Sequence, residues 1–391
     1  MASWVEVPQG CDFSLANLPY GVFSHNSNNN NNNSSNRTST EPRIGTAIGE
    51  YVLDLKGLAR EGMLAELEFN TTTLEAPNLN EYAALGRAVH RRVRAFLQEI
   101  LKADTALGLQ LRDHADRRRR LLVPLSDVTM HLPMAIGGYT DFFVGIYHAD
   151  NCARIFRPGQ PRNPNYTNLP VAYSGRASSI VVSGTSFHRP YGQYALDGQP
   201  TFAPSRKLDF EVEFGAFIAQ GNAFGEPIDV QQAEDHIFGF VLLNDWSSRD
   251  VQRWEAQPLG PFNGKSFCTT ISPWIVTPDA LEPYKTEPVK TGTDVLSYLA
   301  EGRQQTVYDI PIDVSFIWPR IEEIGCLLEA TEDGQTPREL HAVTGASESL
   351  QPSSILRRYL EDGDEVEFRA SIDVSHAANT RGMSGKKTRH V

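Results

Sequence analysis

Lys207-Leu208-Asp209-Phe210-Glu211-Val212-Glu213-Phe214 is the stretch that most directly predicts the fold. Apolar and acidic residues alternate along it, as they do in a β-strand whose successive side chains point to opposite faces. The acidic face then consists of Asp209, Glu211 and Glu213. Same-face carboxylates lie about 6.5–7 Å apart along a strand and repel one another unless water or a cation intervenes. The stretch therefore predicts either a solvated amphipathic strand or one side of a cation site.

Similar short apolar runs, separated by turns, occur on both sides of this stretch and are typical of strands. Strands are predicted at 42–49, 51–55, 180–182, 209–218, 238–243 and 306–316. One amphipathic helix is predicted over 81–101, because its apolar residues recur at helical spacing. The chain is therefore predicted to be mainly β, of the α+β class.

Composition excludes several classes of protein. The 391 residues carry 36 basic and 48 acidic side chains, a formal net charge of -12, which argues against a nucleic-acid-binding protein. No apolar stretch reaches the roughly 20 residues of a membrane helix, and the start lacks a secretory signal. The four cysteines form no CxxC pair, so we expect neither disulfides nor zinc, and a cytoplasmic location.

Four carboxylates could share one site. Asp245 follows the apolar strand 238–243, which is predicted to be buried on both faces, and Asp141 follows a pair of glycines. Together with Glu211 and Glu213 they would form an all-oxygen site, which suits Ca²⁺ or Mg²⁺ and not zinc.

His148 is a candidate general base. It lies seven residues after Asp141, which is about two turns if the segment is helical, so both side chains would face one cavity. Arg249, Gln252 and Lys265 could bind a carboxylate or a developing oxyanion. No GxSxG, Walker or HExxH motif occurs, which leaves serine hydrolase, NTPase and zincin functions without support.

Long stretches of the sequence resemble the fumarylacetoacetase family. They occur in one order at 17–24, 130–133, 139–142, 175–184, 244–247, 258–262, 264–267 and 269–274. The resemblance implies an N-terminal SH3-like β-barrel over 12–130, with an asparagine-rich disordered insertion at 25–40. It also implies a mixed β-roll catalytic domain over 133–374 and a homodimer.

The resemblance further implies hydrolysis of the carbon–carbon bond of 4-fumarylacetoacetate, a diketo dicarboxylate, to fumarate and acetoacetate, the last step of tyrosine and phenylalanine catabolism. It implies Ca²⁺ held by Asp141, Glu211, Glu213 and Asp245, and Mg²⁺ held by Asp245, the backbone carbonyl of Lys265 and Thr269. His148 corresponds to the base and Glu329 to the carboxylate that orients it, while Arg249, Gln252 and Lys265 stabilise charge. Substrate contacts are implied at Phe143, Arg157, Tyr173, Gln252 and Ala256.

The sequence also departs from the family. Phe143 and Ala256 stand where tyrosines are usual. A helix and strand of the family are missing after Phe316, and the tail 375–391 diverges. Two alternatives therefore stay open: a non-catalytic family member, and a relative resembling the acylpyruvate hydrolases.

Overall fold

The N-terminal part of the chain forms one antiparallel sheet with helices beside it. The computed structural model describes residues 2–26, 41–157, 159, 162–290, 292, 294–317 and 365–370. The strands of this part are β1 (Tyr20–His25), β2 (Arg43–Ile48), β3 (Tyr51–Asp54), β4 (Leu122–Pro124) and β5 (Val128–His131). The helices are α1 (Leu55–Arg60), α2 (Asn80–Ala83), α3 (Arg87–Leu101) and α4 (Ala115–Leu121). The strand order is β4-β3-β2-β1-β5.

The two strands predicted at 42–49 and 51–55 are confirmed as the hairpin of β2 and β3. Gly49 turns the chain between them with a φ of 55°. A Cβ at this position would lie 2.1 Å from the carbonyl oxygen of Glu6. Only glycine therefore fits here, for both conformational and steric reasons.

The predicted insertion at 25–40 begins later than expected. His25 still belongs to β1 and pairs with Val128, and the backbone N–H of Asn26 donates to the carbonyl of Asp127 at 2.9 Å. The prediction for 27–40 lies outside the described residues.

The single helix predicted over 81–101 is wrong, because the chain forms two helices there. Gly86 precedes α3 with a φ of 83°, a conformation that ends α2 and starts a new helix. The apolar face of α3 is buried as predicted, with Val93, Leu97 and Ile100 fully inside.

In its described residues, the C-terminal part contains strands, most of them short, and four α-helices. Its strands are β6 (Thr140–Phe142), β7 (Ala172–Ser174), β8 (Ile180–Val182), β9 (Tyr191–Leu196), β10 (Gln199–Pro204), β11 (Leu208–Asp209), β12 (Val212–Ile218), β13 (Ile237–Asp245), β14 (Ser247–Ser248), β15 (Thr269–Ile271), β16 (Lys285–Thr286), β17 (Val307–Tyr308), β18 (Ile312–Ile317) and β19 (Glu365–Ala370). Its helices are α5 (Ile146–Phe156), α6 (Arg249–Glu255), α7 (Asn263–Ser266) and α8 (Pro278–Leu281).

The main sheet of this part has the order β12-β13-β15-β8. Its first two pairings are antiparallel, and β15 pairs with β8 in parallel. The predicted strand 209–218 is interrupted at Phe210 and Glu211: β11 pairs with β14, and β12 pairs with β13. The predicted strand 306–316 is likewise two strands, β17 and β18.

The two parts share one hydrophobic core. The Tyr20 ring from β1 lies 5.9 Å from that of Phe238 in β13, and Tyr82 from α2 packs edge-on against Phe238 at 6.1 Å. The hydroxyls of Tyr20 and Tyr82 are hydrogen-bonded at 3.2 Å. Burial of such rings contributes a large share of core stability, so β13 is anchored at its start by the N-terminal part.

Candidate active site

Three of the predicted metal ligands meet at one point. Asp141 on β6, Glu213 on β12 and Asp245 at the end of β13 each place a carboxylate oxygen within 4.8 Å of the other two. The pairing of Val212 with Asn244 brings the last two residues to the same end of the sheet. Asp141 is 9% exposed and Asp245 is 1% exposed, so the cluster is largely shielded from water.

Burial and mutual repulsion make these carboxylates hard to ionise. Burial, followed by the charges of Asp141, Glu211 and Asp245, raises the pKa of Glu213 to about 9. Burial also raises the pKa of Asp245 to about 7, although the Lys265 ammonium opposes this. The positive charge of Lys265 is therefore too little to keep all three carboxylates ionised.

Glu211, the fourth predicted ligand, lies beside this cluster and is bound by cations. Lys265 Nζ on α7 donates to both Glu211 and Asp245. Arg249 donates to Glu211 Oε1 at 2.7 Å and to Asp209 Oδ2 at 2.8 Å. Burial alone would raise the pKa of Glu211, but Lys265 and Arg249 hold it well below its ordinary value.

His148 lies next to Glu211. Its Nε2 is 3.5 Å from Glu211 Oε1 and 3.5 Å from Cys152 Sγ, and its ring packs edge-on against Phe143 at a centroid distance of 5.5 Å. Burial lowers the pKa of His148 below its ordinary value of 6.5, so the imidazole is neutral at pH 7 and can accept a proton.

The helical spacing used to relate Asp141 to His148 is wrong. Asp141 lies in β6, and α5 begins only at Ile146. The two side chains still reach one region, because Lys265 donates both to Glu211, which lies beside His148, and to Asp245, which lies beside Asp141.

Two tyrosines border the carboxylates. The Tyr173 hydroxyl donates to Asp245 Oδ2 at 3.4 Å. The Tyr139 hydroxyl is buried and has no hydrogen-bond partner among the described residues. Burial and the carboxylates together raise the pKa of both phenols well above the ordinary value. We did not predict Tyr139 from the sequence; its position two residues before Asp141, on the same side of an extended segment, was the available signal.

The remaining predicted site residues are spread around this centre. Gln252 Oε1 accepts from Arg249 at 3.2 Å, and Thr269 pairs with Asp245 in the ladder of β15 with β13. Arg157 bonds to the carboxamide of Asn163, and Ala256 follows the last turn of α6. Within the described part of the chain, these two make no hydrogen bond or ion pair with the carboxylates. Glu329, the predicted orienting carboxylate, lies outside the described residues, as do the tail 375–391 and most of the chain after Phe316.

The donor set fits a hard divalent cation. The three carboxylates, of which Asp245 is fully buried, contribute only oxygen ligands, as Ca²⁺ and Mg²⁺ prefer. The raised pKa of Glu213 and the unpartnered Tyr139 hydroxyl show that the polar groups present do not satisfy one another. A cation would supply the missing positive charge.

None of the described helices is long and apolar enough to cross a membrane.

Comparisons with known proteins agree with this geometry. Residues 16–133 match the model of the fumarylacetoacetase N-terminal family, and residues 146–310 match that of the fumarylacetoacetate (FAA) hydrolase C-terminal family. The chain is 48% identical over 325 residues to a fumarylacetoacetase of Emericella nidulans, covering 80% of this chain and 73% of that protein.

Two further fumarylacetoacetases align over almost the whole chain. Identity is 40% over 418 residues with that of Oryza sativa, covering 94% of this chain and 92% of that protein. It is 43% over 382 residues with that of Bos taurus, covering 95% and 87%. The rice alignment is longer than this chain, so it includes positions that have no counterpart here. The chain belongs to the fumarylacetoacetase family.

Proposed function

We propose that this chain hydrolyses the carbon–carbon bond of 4-fumarylacetoacetate to fumarate and acetoacetate, the last step of tyrosine and phenylalanine catabolism. One observation carries the proposal: a partly buried cluster of three carboxylates is linked through Lys265 to Glu211, which lies beside a neutral histidine, in a chain 40–48% identical to proteins named fumarylacetoacetase. Cleavage of a diketone by water needs a base and positive charge near the oxygens, and this site can provide both.

Asp141, Glu213 and Asp245 would hold Ca²⁺. Glu211 would become the fourth ligand if the ion replaces Lys265 or Arg249 as its partner. A bound divalent cation would supply Lewis-acid polarisation of the diketo oxygens. For Mg²⁺ we propose a second position formed by Asp245, the backbone carbonyl of Lys265 and Thr269. Its support is the pairing of Thr269 with Asp245.

His148 would take the proton of the attacking water at Nε2. Glu211 lies 3.5 Å from that nitrogen, so it would stabilise the imidazolium that forms. Because Glu211 stays ionised through its contacts with Lys265 and Arg249, it can do this at neutral pH. Glu329 was predicted to be the carboxylate partner that orients His148. Among the described residues, Glu211 can serve as such a partner.

Arg249, Gln252 and Lys265 would stabilise the developing oxyanion and the departing carbanion. All three belong to one hydrogen-bonded group around Glu211. Cationic donors that are already in place need little reorganisation during the reaction.

Substrate would lie among the side chains predicted for it. Tyr173 and Phe143 contact Asp245 and His148, respectively, which supports both positions. Arg157 and Ala256 would contact more distant parts of the substrate.

Several further features belong to the same proposal. The five-stranded antiparallel sheet would be an SH3-like barrel over 12–130, and the C-terminal part would be a β-roll domain over 133–374. We propose a cytoplasmic homodimer whose partner is the small diketo dicarboxylate, with no nucleic acid or membrane involved. The support is the family relationship and the acidic charge of -12.

Turnover of fumarylacetoacetate by the purified chain tests the proposal. With Ca²⁺ and Mg²⁺ present, we expect His148→Ala to lower kcat by about 10²–10⁴-fold. His188→Ala is the matched control, because this histidine is exposed. Turnover by the His148 variant that equals turnover by the parent chain would refute the mechanism. Absence of turnover in the folded parent chain would favour the non-catalytic alternative, and preference for acylpyruvates would favour the other alternative.

A further inference from the structure

A cavity of about 640 Å³ lies between α6, β9 and the turn that precedes β11, outside the site just described. Its lining includes Arg206, Lys207 and Arg253, together with the aromatic side chains of Tyr194 and Trp254. The lining thus holds three basic side chains and one acidic one, although the chain as a whole has a net charge of -12. This concentration of positive charge around one cavity suggests a binding function.

The lining of this cavity contains one acidic residue, Asp250, which is held by neutral donors. Asp250 accepts hydrogen bonds from Ser205 Oγ at 2.8 Å, from the Arg206 backbone N–H at 2.7 Å, from Ser248 Oγ at 3.1 Å and from the Val251 backbone N–H at 3.0 Å. Both of its oxygens are thus occupied by the turn itself. Neither guanidinium of the cavity forms an ion pair with another described residue.

The aromatic wall favours a flat ligand. Trp254 is 43% exposed, and its Nε1 donates to Gln193 Oε1 at 2.9 Å, which fixes the plane of the indole. The Tyr194 hydroxyl donates to the carbonyl of Pro204 at 3.3 Å, which holds its ring in the wall. Guanidinium groups bind carboxylates through paired hydrogen bonds, while an indole face stacks on planar groups.

We propose that this cavity binds a small planar carboxylate, with Arg206 and Arg253 receiving the carboxylate and Trp254 stacking on the planar part. The cavity adjoins the helix that carries Arg249, whose backbone N–H donates to the carbonyl of Lys207 at 2.9 Å. A ligand in this cavity would thus contact α6, the helix that also positions Arg249, the ion-pair partner of Glu211.

Benzoate titration followed by tryptophan fluorescence at low salt tests the proposal, with the full chain. We expect a saturable change in the parent chain, and at least about tenfold weaker binding in the double variant Arg206→Gln, Arg253→Gln. Arg119→Gln, on the exposed face of α4, is the matched control and should bind as the parent does. Trp254→Phe should lose most of the fluorescence change while calorimetry still detects binding.

Three results would overturn the inference, and the first two concern how benzoate binds. One is unaltered benzoate affinity in the double variant, with the protein still folded by circular dichroism. The other is inorganic phosphate competing as strongly as benzoate does, because the planar part would then contribute nothing. No saturable binding of benzoate in the parent chain would also refute it.

Discussion

Calcium binding should release protons from this protein, because the carboxylates that would hold the ion are partly protonated before it arrives. At pH 7 a group with a pKa of about 9, such as Glu213, is almost fully protonated, and Asp245, with a pKa of about 7, is protonated about half of the time. Ligands must be deprotonated to bind a metal. We therefore expect release of between about one and two protons for each Ca²⁺ bound.

The sign of the pH dependence follows from this. Protons compete with the ion, so the apparent affinity for Ca²⁺ should rise with pH, by about tenfold per pH unit for each proton released. The rise should continue through neutral pH and level off above the pKa of Glu213, about 9.

Calorimetric titration of the metal-free chain in two buffers with different ionisation enthalpies measures the number of protons directly. Glu213→Gln should release about one proton fewer, because an amide carries no proton to lose. This variant should also bind Ca²⁺ more weakly. Glu226→Gln, an exposed residue, is the control and should behave as the parent does. Binding of Ca²⁺ to the parent chain without proton release at pH 7 would refute the reasoning, as would an affinity that is constant between pH 6 and 8. Both results come from the parent chain, so they decide the question even if the Glu213 variant binds no metal.

Three substitutions test the scaffold of the site. Gly264→Ala should lower the free energy of unfolding by about 1–3 kcal/mol, since the added Cβ would lie 2.7 Å from a backbone nitrogen of α6. Gly221→Ala, where the added Cβ would meet open space, should leave the melting temperature unchanged. Equal melting temperatures of the two variants would contradict this. Phe238→Ala should cost about 3–5 kcal/mol in urea unfolding, because it empties the core shared by both parts of the chain; a loss below about 1 kcal/mol would show that this core is not shared. Arg249→Gln should destabilise the protein at pH 7 and less so in acid. Glu211 has a depressed pKa, so its stabilisation is present above the ordinary carboxyl value and is lost as pH falls through the folded-state pKa; urea unfolding at several pH values measures the difference, and a pH-independent loss would argue against the ion pair.

Local pattern in the sequence predicted the carboxylates well. Glu213 was identified by alternation along a strand, and Asp245 by its place at the end of an apolar run that is indeed buried. Both signals depend only on neighbouring residues. They carry over to three dimensions because strands β12 and β13 lie side by side.

Contacts between distant residues were not accessible to the same reasoning. The alternation that grouped Glu211 with Glu213 says nothing about Arg249 and Lys265, which form ion pairs with Glu211. The break between β11 and β12 likewise depends on two different partner strands. The helix break at Gly86 was missed because the apolar spacing continues across it.

The parallel pairing of β8 with β15 has a consequence for how the site arises during synthesis. Ile180 pairs with Thr269, so the edge strand of the main sheet must wait for a segment made much later. Contacts between distant parts of a chain form slowly, since a long loop must close first. Glu213 and Asp245 lie on strands of this same sheet, so a nascent chain stalled before Thr269 should carry the three carboxylates without the completed sheet that holds them.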